Sequence, residues 1–382
     1  MKILLAGVET NNKGAELMLY AILQEIERVH PDAHVYLPKY QIKQGLGYIK
    51  TKVKLEYWPF YELSKRLHLF KIFKILHIPF MFLPHIICAR NAAYYFDASG
   101  FAYSDQFKIT DMNIWIMENQ LSVLHKRGCR IVFLPQAFGP AEKNKTKEMF
   151  RVLNKYANVI MPRETVSMRY INESGLIEKD KIKVYTDFTS HVDGVVLDAF
   201  QHISNGICVI PNIQMIKKGG ITREAYLRLI KAFILLGKET GHPVYLLNHE
   251  GVEDEQLCYL LKSELNGEID VITGYNALEV KGLISTAYLV ISSRFHGVVS
   301  ALNSCIPCLA TSWSHKYQEL FKDYQLEGCV LSLDDVVDAS RVVNKFLNEK
   351  NNKLVRMNLV KQKLNILENT NEMWRCVWNN YY

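Results

Sequence analysis

The sequence predicts an α/β protein made of two doubly wound halves, and three observations carry that prediction. Short apolar runs rich in β-branched residues recur along the chain, and most are followed by a stretch with helical periodicity. The opening order is strand, helix, strand, which argues for a parallel sheet. At 382 residues the chain is also long for a single hydrophobic core, so two domains are expected. We place them at residues 1–195 and 196–382, because residues 190–205 hold few signals before a fresh strand begins.

Residues 2–7 are the first strand, followed by a polar loop over 8–16, an apolar-periodic helix over 17–29 and a strand at 35–37. Ligands of parallel sheets bind beyond the carboxyl ends of the strands, where Asn12 and Gly14 fall. The loop has neither the three-glycine dinucleotide fingerprint nor a phosphate-cradling Gly-Lys-Ser/Thr turn, and an ordinary polar loop is the competing reading. Residues 64–90 interleave Leu67, Phe70, Ile72, Phe73 and Ile75 with Arg66, Lys71 and Lys74, and Pro79 and Pro84 break the run. This is too short and too broken to span a bilayer, so it predicts a basic amphipathic helix that either lies in a membrane interface or packs on the core. A strand at 93–96 leads to Asp97 and, beyond Gly100, to Asp105, two carboxylates suited to sugar hydroxyls or to base chemistry. Asp97 serving only to cap its turn is the plain alternative. A helix over 113–126 and a strand over 130–134 run into Pro135-Gln136-Ala137-Phe138-Gly139-Pro140. After a helix at 145–156, the strand 159–162 delivers Arg163 to a turn, where an ion pair with Glu164 or Asp187 competes with a ligand role. A strand at 182–185 closes this half.

The second half repeats the alternation: strand 207–210, helix 224–238, strand 244–247, the His249-Glu250 turn, helix 254–265 and strand 271–272. Residues 287–317 then concentrate the chemistry. A buried strand at 288–291 meets Ser292 and Ser293 as helix caps, a helix at 295–303, and a strand at 306–310 containing Pro307. Arg294 and His296 stand at the turn. A helix N-terminus favours anions, Arg294 offers a planar two-pronged donor, and His296 exchanges protons near neutral pH. Gly297 would let a ligand approach the backbone, and Lys316 follows in Ser314-His315-Lys316-Tyr317. A surface ion pair at Arg294 and a structural histidine at 296 are the bland alternatives. The tail over 334–378 reads as helical with a basic polar face.

With 49% hydrophobic and 22% charged residues the chain is globular rather than disordered. Its net charge of +7 suits an anionic substrate or an acidic membrane surface, and no nucleic-acid-reading motif accompanies it. The N-terminus lacks the apolar core and cleavage site of a signal peptide. Eight cysteines, mostly in apolar runs, predict reduced core thiols and a cytoplasmic setting. Cys305 and Cys308 have redox spacing but follow a helix, and no second pair completes a zinc site.

The Ile-Ser-Ser-Arg294-Phe-His296-Gly297 run, its Ala-Leu helix, the Pro before the next strand and the downstream Lys316 together resemble the polysaccharide pyruvyl transferase family. Other stretches match in order: the Asn12–Gly14 loop, the Asp97 to Asp105 turn (poorer in glycine here), Pro-Gln136-x-x-Gly-Pro, the Arg163-Glu164-x-x-Ser167 pattern and Asp187. The resemblance implies a glycosyltransferase-B-like fold of two Rossmann-like domains facing a cleft, with an acceptor side first and a donor site second. It implies transfer of the enolpyruvyl group of phosphoenolpyruvate to a sugar, with no metal and no redox cofactor. It assigns substrate roles to Asn12, Gly14, Gln136, Asp105, Ser293, Arg294 and Gly297, and donor binding to Arg163. On this reading His296 is the general acid, Arg163 and Arg294 clamp the anion, Lys316 neutralises leaving phosphate, and Asp97 is a base. The sugar acceptor, soluble or lipid-linked, is left open, as are peripheral membrane contact and oligomeric state. Two rivals stand beside it: a nucleotide-sugar glycosyltransferase using Glu279 or Glu319, and a non-catalytic sugar- or phosphate-binding module.

Overall fold

The computed structural model describes residues 1–312, 316–331, 333 and 335–378. The chain forms two compact units. One comprises Met1–Asn11, Met18–Phe188 and the chain from Thr370 onward; the other comprises Asn12–Leu17 and Thr189–Asn369. The passage from one to the other therefore falls just ahead of the expected position 195, and both units are discontinuous in sequence.

The first unit is built on a sheet of parallel strands: β1 (Lys2–Ala6), β2 (His34–Leu37), β3 (Lys54–Tyr57), β4 (Ala92–Asp97), β5 (Phe101–Tyr103), β6 (Arg130–Phe138) and β7 (Val159–Pro162). The order is β3-β2-β1-β4-β6-β5, with β7 also paired to β6. Four successive residues of β4, Tyr94, Tyr95, Phe96 and Asp97, are buried, as both faces of a parallel sheet demand. β6 runs four residues past its expected end and through Pro135. A proline fits there because the ladder changes partner: Arg130 to Phe133 pair with β4, the register slips, and Ala137 pairs with Phe101. The expected strand at 182–185 reduces to a single bridge between Ile160 and Ile182.

The segment predicted as one amphipathic helix over 64–90 is instead three short helices, Tyr61–Arg66, Leu69–Ile75 and Pro84–Cys88. His68 and His77 adopt left-handed backbone angles that stop helix propagation between them. The inward side chains Phe70, Phe80, Leu83 and Ile86 join the first core. At roughly 1.5–3 kcal/mol for each fully buried apolar side chain, they fasten the segment to the unit.

The second unit carries β8 (Ile207–Ile210), β9 (Val244–Leu247), β10 (Asp270–Ile272), β11 (Leu289–Ser292), β12 (Cys308–Thr311) and β13 (Val330–Leu331), in the order β10-β9-β8-β11-β12-β13. Renumbered within the unit this is 3-2-1-4-5-6, the doubly wound Rossmann order. Its core is continuous from Phe200 on one side to Ile366 in the tail. The tail is two helices, Val336–Leu347 and Glu349–Trp378, while its expected first residue, Asp334, lies outside the described residues. In the last turns Trp378 Nε1 donates to Glu25 Oε1 at 2.8 Å, and Arg130 donates to the backbone carbonyls of Cys376 and Val377.

Candidate functional site

The strand order of the second sheet reverses between β8 and β11, so their carboxyl ends open a crevice that side chains from neighbouring turns can enter. The fold ties this point down. Ser293 N donates to Ile210 O at 2.8 Å, Asn212 Nδ2 to Ser293 O at 2.9 Å, and Tyr317 Oη to the same carbonyl at 2.8 Å. The Ser293 hydroxyl lies against Tyr226 Oη at 2.6 Å and against Thr311 Oγ1. Ser293 is therefore buried, with its polar groups bonded within the protein, and it holds the turn. At Gly297 a Cβ would stand 2.6 Å from Ser292 Oγ and 2.9 Å from Ile210 Cδ1, so the missing side chain lets the helix Phe295–Asn303 sit on β8 and β11.

Arg294, rather than the expected Ser292 or Ser293, holds the N-cap position of that helix, and its side chain makes no capping bond. Its Nε donates to Asp254 Oδ2 at 2.6 Å, and its Nη1 pairs with Glu250 Oε2. Burial disfavours the guanidinium charge, but Asp254 and Glu250 outweigh it and hold its pKa above the ordinary value. The guanidinium is thus locked in one orientation by two carboxylates that follow β9, and neither was expected from sequence.

His296 lies one residue into the helix. A Cβ on Gly14 would stand 1.9 Å from Nδ1 of the imidazole and 2.4 Å from its Cε1 and Cγ, so the first turn of helix Lys13–Val29 seats the histidine. That turn is itself fixed by Asn12, whose Oδ1 accepts from Gly14 N at 2.9 Å and Ala15 N at 3.2 Å, and which bridges to Glu250. The helix consequently starts four residues earlier than the apolar periodicity predicts, since a cap rather than the hydrophobic stripe sets its beginning. Glu16, fully buried, accepts from Lys13 Nζ at 2.8 Å. His249, also buried, is held well below the usual histidine pKa, first by desolvation and then by Arg294, His296 and Lys13. Lys316 opens the helix Lys316–Asp323, with Nζ 5.0 Å from the Phe295 ring centre; Ser314 and His315 lie outside the described residues. The second unit therefore gathers Asn12, Gly14, Arg294, His296 and Lys316, and adds Lys13, Glu16, His249, Glu250 and Asp254.

The remaining expected residues belong to the first unit. Asp97 ends β4 beside the strand-order reversal between β1 and β4. It is buried, with Oδ1 accepting from Ser99 N and Gln136 Nε2 at 3.2 Å and Oδ2 from Tyr103 Oη at 3.0 Å. Desolvation raises its pKa despite these bonds. Gln136, with no exposure, carries an Oε1 that has no hydrogen-bond partner among the described residues. Arg163 is nearby in the ladder: its N donates to Gln136 O at 3.1 Å, and its Nη1 faces Asp187 Oδ2 at 3.4 Å. Glu164 caps the following helix, accepting from Ser167 N at 2.6 Å. Asp105 stands elsewhere, receiving Glu142 N at 2.7 Å and Lys143 N, beside a cavity of about 410 Å³. Burial works against its charge, but those bonds and Thr146 keep its pKa low.

Sequence reasoning missed Glu16, Glu250, Asp254 and a role for His249. Their only sequence signal was position just beyond a strand or in a helix's first turns, and knowing that β8 separates β9 from β11 is what places Asp254 against Arg294.

A family model described as polysaccharide pyruvyl transferase matches residues 12–315. No curated protein matches the chain. Among solved structures, the fold is similar to that of Anabaena HepE in complex with UDP-glucose, at TM-score 0.62 and 10% identity over 99% of this chain and 100% of that one. A putative UDP-N-acetylglucosamine 2-epimerase from Listeria monocytogenes aligns at TM-score 0.60 and 8% identity, covering 100% and 96%. WaaG, a glycosyltransferase involved in lipopolysaccharide biosynthesis, aligns at 0.56 and 10%, covering 98% and 99%. These likenesses fix the architecture as two Rossmann-like domains of the glycosyltransferase-B class.

Proposed function

Because the chain belongs to the polysaccharide pyruvyl transferase family, we propose that it moves the enolpyruvyl group of phosphoenolpyruvate onto a sugar of a cell-surface polysaccharide precursor. In this reading His296 gives a proton to the methylene carbon, which becomes a methyl group and leaves the adjacent carbon electrophilic. A sugar hydroxyl adds there and loses its proton. The carbon–oxygen bond to phosphate breaks, phosphate taking the electron pair, and a second hydroxyl adds to close the ketal. Of the two hydroxyl protons, one restores the acid and the other leaves with phosphate.

Stabilising developing negative charge needs fixed cations in a partly dry site. Lys316, the N-terminus of the helix after Arg294, and the oriented Arg294 supply them in the second unit. The remaining proposed substrate contacts are Asn12 and Gly14 in that unit and Arg163, Gln136 and Asp105 in the first. Asp97, with its raised pKa, is the proposed base. The reading calls for no metal or redox cofactor. A cytoplasmic setting is supported by eight cysteine thiols, none in a disulfide. No helix among the described residues is long and apolar enough to cross a membrane.

The observation that carries this proposal is His296, seated on Gly14 beside Arg294 at the reversal point of the second sheet. Its test is incubation with phosphoenolpyruvate and a panel of nucleotide-linked and lipid-linked sugars, following phosphate release and product mass. Release of nucleotide from a UDP-sugar, with phosphoenolpyruvate untouched, would assign the glycosyltransferase rival instead. Silence from both donors across the panel would favour a binding module.

A further inference from the structure

We propose that the outer face of residues 60–87 docks on an anionic lipid bilayer. Twenty-three large apolar side chains are exposed among the described residues, and nine of them fall in this short stretch. Leu67, Ile72, Ile75, Leu76 and Phe82 are among them, Ile75 being 74% and Leu76 63% exposed. Scattered single exposures are ordinary on a soluble surface, whereas such a concentration marks an interaction site.

The local backbone explains how the face arises. The helix Leu69–Ile75 and the 3₁₀ turn Phe80–Phe82 direct Phe70 and Phe80 to the first core, while Ser64 and His85 meet beneath at 3.2 Å. The left-handed His68 and His77 then restart the chain, so successive turns present Leu67, Ile72, Ile75 and Leu76 outward. One helix cannot bury and expose apolar residues on so many sides; three broken pieces can.

Charge selects the occupant. Between positions 58 and 90 stand Lys65, Arg66, Lys71, Lys74 and Arg90, against one acid, Glu62, whose Oε1 is held by Tyr40 N at 3.1 Å. Arg66 and Lys71 are exposed and adjoin the exposed Leu67 and Ile72 in sequence. Flexible cations interleaved with inserted apolar side chains complement phosphate headgroups above acyl chains. This placement concerns the first unit alone and does not rest on the pyruvyl-transfer reading.

Sedimentation of the full chain with phosphatidylglycerol–phosphatidylcholine vesicles tests it, with pure phosphatidylcholine vesicles alongside. Binding is expected to the anionic vesicles only and to weaken as salt rises. Arg66→Gln and Lys71→Gln should each reduce it roughly fivefold. The pair Ile75→Ser with Leu76→Ser should reduce it about tenfold or more. All four substitutions are at solvent-exposed positions, and thermal melts matching the parent chain verify folding. The proposal is overturned by no binding at low salt, by equal binding to neutral vesicles, or by full binding of the serine variant. It is equally overturned if the face instead mediates a concentration-dependent dimer that the serine variant dissolves while vesicles are ignored.

Discussion

Replacing Gly14 with alanine tests the seating of His296 more sharply than replacing His296 itself. The added methyl would overlap the imidazole, and to regain ordinary contact the ring must retreat by roughly 1 Å or more, a displacement that in an active site can lower the rate about 100-fold. The backbone gives no competing reason for a loss. Gly14 has no left-handed φ, and alanine is the better helix former by about 1 kcal/mol. Gly14→Ala should therefore keep the fold, at a cost of about 1–3 kcal/mol for the displaced ring, and release phosphate from phosphoenolpyruvate about 100-fold more slowly. The decisive measurement is a double-mutant cycle. If Gly14 acts only by seating His296, adding Gly14→Ala to a His296→Ala chain should slow it no further. Near-parental activity of Gly14→Ala, or fully additive losses in the double variant, would refute this reasoning.

Other outcomes follow from the same geometry. His296→Ala should lower turnover by about 10²–10⁴-fold while phosphoenolpyruvate binding, read by calorimetry, is largely kept, because its proposed task is proton transfer. Arg294→Lys should weaken donor binding and also stability, since an ammonium cannot meet Asp254 and Glu250 at once; unchanged affinity would move the anion site elsewhere. His85, enclosed by Trp58, Tyr61, Phe70 and Phe80, has its pKa pushed down to about 4 by burial. The unfolded chain takes up that proton near pH 6.5 and the folded one only near 4, so stability held above 6.5 is lost as pH falls. The first unit should lose up to about 3 kcal/mol across that window, and denaturant titrations of His85→Phe should show a flatter pH dependence.

The alternation of strands and helices was legible because apolar, β-branched runs report burial on both faces. Strand order was not. Nothing in the run Val244–Leu247 says that the helix Gly251–Glu264 after it will deliver Asp254 to Arg294 across β8. The chemical turn at 292–297 was legible in residue type, yet the tasks divide unexpectedly: Ser293 and Gly297 serve the fold, while Gly14, far off in sequence, shapes the space His296 occupies. Periodicity also misjudged residues 64–90, where left-handed breaks that no apolar pattern encodes set the geometry.

The second unit draws Asn12–Leu17 from the far end of the chain, ahead of nearly the whole first unit. A gene fragment beginning at Thr189 would therefore translate the histidine without its seat. It would keep β8 to β13 and most of their core, so it could pass for an intact domain by its spectrum while lacking Asn12, Gly14 and Glu16. Supplying those residues as a separate peptide would have to overcome the weak helicity of a short isolated segment. Inheritance follows the same logic. A recombination joint at the linker exchanges the loop that seats His296 along with the first unit, so hybrids between relatives stay functional only where that early loop and the later turn suit each other.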